Sequence, residues 1–223
     1  VSTPKSRTIP VLIAFIVLGA AMLGTGLFLQ LEASADKAES PKSNNNVMVR
    51  PLAPSSVTAS GQNLTLTLSA SWLNVPTKAA ELPGFFAQNE RKHPRLSALI
   101  TPESVAGLAI YAVAFDDTGR IRGTLNVTSQ ADTTPAVDLL KQAPGFVSAQ
   151  GGTNEQASLE RFGQYPGVRV SFELPGVGEL PASYQQVVFI VGPRSTAQLT
   201  VTAASATAAK ALMDNVAPTI AFK

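Results

Sequence analysis

Hydrophobic residues run from Ile9 to Leu31 without a single charge, and no other stretch of the chain stays apolar for so long. A bilayer core is about 30 Å thick and a helix rises about 1.5 Å per residue, so about 20 apolar residues cross it. The run therefore predicts a transmembrane helix over 9–31. Lys5 and Arg7 precede it, and Glu32 and Asp36 follow it. The positive-inside bias then leaves residues 1–8 in the cytoplasm and carries the rest across the membrane. A cleaved signal peptide is the competing reading, because Ala33-Ser34-Ala35 forms an A-x-A site. The run is much longer than the roughly 7–15 apolar residues of a signal peptide, which favours a retained anchor.

Beyond the anchor the pattern changes to polar. Residues 32–60 read as an extended linker, since EASADKAESPKSNNN offers too little apolar surface to offset its ordering entropy. A folded domain is expected over 61–223. Leu64, Leu66 and Leu68 alternate with Thr65, Thr67 and Ser69, the period of a half-buried strand, and the strand is expected to continue through Trp72. A short helix follows over about 85–92. Residues 106–115 and 120–129 are strand-like, and Asp116-Asp117-Thr118-Gly119 between them supplies a hairpin turn. Thr133 or Thr134 can cap a helix that begins at Pro135 and stops before Pro144-Gly145. Strands are expected at 156–163 and 167–174 around Tyr165-Pro166-Gly167, then at 184–191 and 197–204. A helix from Ser205 to Val216 ends at Pro218. Strands follow strands, so the fold class is α+β, a mainly antiparallel sheet with helices on its faces.

Composition narrows the chemistry. The net charge is +2 and the chain has no Cys. Thiolate metal sites, disulfides and a Cys nucleophile are excluded. No basic cluster has aromatic residues interleaved, which argues against nucleic acid as a partner. Asp117-Thr118-Gly119 spells the aspartic-protease triplet, but that chemistry needs two carboxylates sharing a proton, and the chain has no second copy. Asp and Gly are also ordinary turn residues. His93 is the only His, in the polar stretch NERKHPR, and no G-x-S-x-G elbow accompanies it. Asp116, Asp117 and Asp132 lack EF-hand spacing. Gly151-Gly152 is not followed by Lys-Ser/Thr, so no phosphate loop is formed. Arg91, Lys92, His93 and Arg95 make the one basic cluster, read as a solvated loop. The expectation is no catalytic residue, no cofactor and no metal.

The anchor carries its own signal. Ala20 and Gly24 are four apart, and Gly19 lies beside Ala20, so small residues line one face. In lipid, helices associate through close backbone packing that small residues permit. Gly19, Ala20 and Gly24 are therefore the candidate helix-packing residues.

The strand ending in Trp (LTLTLSASW), the central hairpin (AIYAVAFDDTGRIRGTLNVTS), the late hairpin (YQQVVFIVGPRSTAQLTVTA) and the closing helix (SATAAKALMDNV) together resemble the PsbP-like fold. With the anchor, the layout is similar to single-span actinobacterial membrane proteins that are accessory subunits of the cytochrome bcc–oxidase supercomplex. That resemblance implies a non-catalytic subunit of the respiratory chain. Its partners would be integral membrane subunits and the lipid bilayer, and its domain would lie on the extracytoplasmic (periplasmic) side of the cell membrane. The alternative is a membrane-tethered module that binds a small apolar ligand or a cell-envelope component. Gly24→Leu is expected to weaken association with a partner helix while the exported domain stays folded. Unchanged co-purification of the partner from native membranes would contradict the packing role.

Overall fold

The computed structural model describes residues 57–61, 63–176 and 182–223. The run 9–31, with Gly19, Ala20 and Gly24, lies outside them. Among the described residues no helix is long and apolar enough to cross a membrane.

The expected strand through Trp72 divides into two, in different sheets. Strand β2 (Leu64–Leu68) carries the alternating leucines, all fully buried. The chain then turns at Ser69–Ser71, where the Trp72 amide donates to the Ser69 carbonyl at 3.0 Å. Trp72 opens β3 (Trp72–Val75). A strand that the pattern did not single out, β1 (Val57–Ser60), pairs with β2, and β10 (Ala221–Phe222) pairs on the other side. This small sheet has the order β1-β2-β10.

The large sheet holds β3, β4 (Ile110–Phe115), β5 (Ile121–Gln130), β6 (Thr153–Phe162), β7 (Tyr165–Leu174), β8 (Ser183–Val191) and β9 (Thr196–Ala203). Its order is β3-β4-β5-β9-β8-β7-β6, and every neighbouring pair is antiparallel. The helices are α1 (Leu82–Asn89), α2 (Leu96–Leu99), α3 (Pro102–Val105), α4 (Ala136–Ala149) and α5 (Ala206–Val216). The α+β class with a mainly antiparallel sheet is thus what the chain adopts.

Two helix and turn boundaries differ from expectation, for identifiable reasons. Helix α4 runs through Pro144 and Gly145 instead of stopping before them. Both residues are exposed, while Leu139, Ala143, Phe146 and Val147 are buried. Phe146 meets Phe189 and Phe172 edge-on, with ring centroids 5.5 and 6.1 Å apart. That packing outweighs the lost backbone bond. The β6–β7 turn falls at Gly163-Gln164 rather than at Tyr165-Pro166-Gly167, because Phe162 pairs with Tyr165. Gly163 has φ 60°, which suits the first central position of a two-residue hairpin. Pro166 then lies in β7, one residue short of the first β8 partner, so its missing N–H breaks no bond to β8.

One face of the large sheet packs on the small sheet and on Ala209, Leu212, Met213 and Val216 of α5. The opposite face carries two separate apolar clusters. Helices α1–α3 cover Val75, Tyr111, Val113 and Phe115 at one end, and α4 covers Val168, Val170, Phe172, Val187 and Phe189 at the other. Between them, in register across β5, β9 and β8, runs a stripe of buried polar residues: Thr124, Thr128, Thr202, Gln198 and Gln185. Gln198 donates its Nε2 to Thr200 Oγ1 at 3.2 Å. The hydroxyls of Thr124, Thr128 and Thr202, Gln198 Oε1 and Gln185 Nε2 have no partner. A buried polar atom left unpaired costs about 1–3 kcal/mol. Thr202→Val should therefore stabilise the fold by about 1 kcal/mol, raising Tm by about 2–4 °C in a thermal melt. A fall in Tm would instead show that the hydroxyl has a partner on which the fold depends.

Candidate functional site

A cleft of about 780 Å³ opens on the face that carries α5. Its floor is made by alternate residues of three adjacent strands: Gln156, Ser158 and Glu160 of β6, Arg169, Ser171 and Glu173 of β7, and Tyr184 and Gln186 of β8. The N-terminal half of α5, through Thr207 and Lys210, forms one wall. The Ser205 hydroxyl caps that helix by accepting from the Ala208 amide at 3.2 Å, as Ser does when it precedes a helical run.

Arg169 ties the cleft together. Its Nε donates to both carboxylate oxygens of Glu160, at 3.1 and 3.0 Å. Nη1 donates to Gln186 Oε1 at 3.3 Å, and Nη2 pairs with Asp214 Oδ1 at 2.7 Å. The guanidinium also lies 5.6 Å from the centre of the Phe162 ring. One side chain thus joins β6, β7 and β8 to α5, and only 13% of it is exposed. Lys210 closes the set, with Nζ 2.5 Å from Asp214 Oδ2. Burial alone would push the Asp214 carboxyl up. The Lys210 hydrogen bond and the charges of Arg169 and Lys210 outweigh it and hold Asp214 below the usual carboxylate range. At the far end of the floor, Asn154 Nδ2 donates to Glu173 Oε2 at 3.0 Å.

The chemical consequence is a site whose cations are satisfied from within, while Glu173, among the described residues, holds only the Asn154 side-chain amide. Arg169 and Lys210 are both engaged by carboxylates. The groups left for a ligand are amides and hydroxyls, together with the half-buried Tyr184 ring. The Ser158 hydroxyl donates to Glu160 Oε1 at 3.2 Å, and Arg169 holds that same carboxylate.

The residues weighed from sequence lie elsewhere. Asp117, Thr118 and Gly119 form the β4–β5 hairpin turn, where the Gly119 amide donates to the Asp116 carbonyl at 3.0 Å and Gly119 has φ 82°. Asp116, not Asp117, does the structural work. Its Oδ1 accepts from the Thr118 amide and hydroxyl and the Arg120 amide, at 2.8, 2.6 and 2.9 Å. Burial opposes these bonds, and their sum holds Asp116 below the usual range. His93 is not a freely solvated side chain. Its ring stacks on Phe115 with centroids 3.9 Å apart. Burial, and then the charge of Lys92, lower its pKa. Among the described residues no three His, Asp or Glu side chains gather where they could hold a metal. Asn126, one of two glycosylation sequon matches, is buried in β5. The cleft residues were not singled out from the sequence. Arg169 in a strand of alternating pattern was the available signal, since a lone basic residue between Val168 and Val170 needs a partner wherever it is half-buried.

No family model matches the chain, and no curated protein matches it. Solved structures similar to it include three from named organisms. One is a protein from Bacteroides thetaiotaomicron VPI-5482, at 9% identity and a TM-score of 0.44, over 72% of this chain and 45% of that one. This chain therefore spans less than half of that protein. Another is LpqN of Mycobacterium tuberculosis, described as involved in cell envelope biogenesis, at 14% identity and a TM-score of 0.41, over 73% and 85%. The third is cyanobacterial PsbP (CyanoP) from Synechocystis sp. PCC 6803, at 16% identity and a TM-score of 0.39, over 82% and 98%. Such identities convey no residue roles to this chain.

The Asp214 pairing sets a pH dependence. A carboxyl held below its unfolded value stabilises the fold at pH above the usual carboxylate range, and the contribution is lost as pH falls through the folded value. Asp214 is 39% exposed, so solvent screens the pair and about 1 kcal/mol is expected at neutral pH. Asp214→Asn should lower stability by that amount at pH 7. The difference from the parent should shrink in denaturant titrations below about pH 4. A gap that stayed constant with pH would mean that the carboxylate charge is not what matters.

Proposed function

We propose that this chain is a membrane-tethered extracytoplasmic module that acts by binding rather than by catalysis. In this reading the cleft between β6–β8 and α5 takes an uncharged, hydroxyl-rich ligand of oligosaccharide type, a component of the cell envelope. The observation that carries the reading is that both cations of the cleft, Arg169 and Lys210, are already paired with its own carboxylates. An anionic ligand would have to displace Glu160 or Asp214 from Arg169, whereas a polyhydroxylated one needs only the Gln156 amide and the hydroxyls of Thr207, Ser158 and Ser171, the last two donating to Glu160 Oε1 and the Gln156 carbonyl while their oxygens stay able to accept. The volume is within the range of about 300–1,000 Å³ usual for small-molecule sites. The polar floor turns the expected apolar ligand into a polar one.

A second reading is kept for the anchor. Gly19, Ala20 and Gly24 favour a role beside partner helices, as an accessory subunit of a larger membrane complex such as a respiratory supercomplex. The two readings are compatible, because one concerns 9–31 and the other the cleft.

Saturation-transfer NMR on the full chain in lipid nanodiscs, with maltotriose, cellotriose and chitotriose as probes, tests the binding reading. At least one probe is expected to receive saturation. Gln156→Leu and Ser171→Val should each weaken it by about three- to tenfold, the worth of one neutral hydrogen bond. No transfer to any probe at millimolar concentration, or transfer that both variants leave unchanged, would overturn the proposal.

A further inference from the structure

Strand β6 ends the large sheet on one side, as β3 does on the other, and among the described residues no strand pairs with its outer side. Exposed edges are usually blunted by short length, Lys, Pro or a bulge. Strand β6 is ten residues long, against a usual five or six, and TNEQASLERF contains neither Lys nor Pro. Its one bulge lies at the start, between Thr153 and Gln156, where Asn154 has φ 55°. From Gln156 to Phe162 the pairing with β7 is regular. Leu159 in this stretch is half exposed, one of two large hydrophobic side chains left so among the described residues.

We propose that β6 pairs antiparallel with β6 of a second copy about a two-fold axis at Ser158, which joins the two large sheets into one. The strand is self-complementary in that register. Ser158 stands opposite the second copy's Ser158, and each pairing beside it occurs twice. On the α4 side, Ala157 meets the second copy's Leu159, and Glu155 meets the second copy's Arg161. On the cleft side, Gln156 meets the second copy's Glu160. Moving the axis by one residue places Glu155 opposite Leu159 or opposite Gly163, and no unlike charges then face each other. Opposite charges directly across an antiparallel pair attract, and like charges repel. Among the described residues Glu155 has no ion-pair partner, and Arg161 donates to the Gln164 carbonyl at 2.7 Å.

The pairing has a consequence for the cleft. Gln156, Ser158 and Glu160 are the part of its floor that lies on the edge strand. Across the axis the same three residues of the second copy continue that floor, so two clefts merge into one long polar trough. The dimer does not depend on the ligand class, and its loss leaves each cleft's own residues in place.

The chain has no Cys, so a single introduced thiol reports on the axis. Directly opposed residues have Cβ atoms about 4.5–5.5 Å apart, close to disulfide reach. In membranes holding the full chain, Ser158→Cys is expected to form a covalent dimer on mild oxidation, well above Lys141→Cys on the exposed side of α4. Adding Glu155→Arg should cut the dimer about tenfold, because both unlike pairs become like pairs. Adding Arg161→Glu as well should restore it. A Ser158→Cys yield no higher than that of Lys141→Cys would overturn the proposal, and so would a yield that ignores the charge reversal.

Discussion

The large sheet is wider than the helix that covers one of its faces, and much of this molecule follows from that mismatch. Seven strands at about 4.8 Å spacing span about 29 Å. Helix α5 has 11 residues, about 16 Å of helix. Together with the small sheet it covers β5, β9 and β8. On β6 and β7 that cover runs out. There the positions facing the same side are Gln156, Ser158, Glu160, Arg169, Ser171 and Glu173, which water or a polar ligand can satisfy. Arg169 sits at the boundary, where it fixes the last covered element to the first uncovered strands.

The opposite face meets a similar constraint differently. Two helical blocks cover its ends, and the strip between them is built of Thr and Gln rather than Val and Leu. Tyr111 lies at one margin of that strip, fully buried, with its hydroxyl unpaired and its ionisation pushed upward by burial. A strip of unpaired polar atoms is a poor way to stabilise a sheet, since apolar residues of the same shape would serve better. Stability alone does not account for its composition.

The strands were legible wherever alternation reported a single buried face, as in Leu64, Leu66 and Leu68, and the last helix was legible up to the Pro218 that ends it. Other features were hidden for physical reasons. The alternation that marks β2 continues past a turn, so Trp72 reads as its neighbour while it belongs to another sheet. Thr196, Gln198, Thr200 and Thr202 alternate with apolar residues, a pattern that does not tell which face is solvated, and all four are buried. Pro144-Gly145 reads as a stop, and only Phe146 meeting Phe172 and Phe189 shows why the helix continues. The cleft was the least legible part. It depends on Arg169 meeting Glu160 across a hairpin and Asp214 on the last helix, contacts that no local spacing announces.

The central claim is that this domain presents a cleft for a hydroxyl-rich ligand. Native mass spectrometry of the full chain, released from its own membrane in a non-glycosidic detergent, tests it directly. The account predicts a chain carrying a small adduct whose fragmentation yields sugar masses. A chain that emerges without an adduct, held only in stoichiometric complex with other membrane subunits, would contradict it.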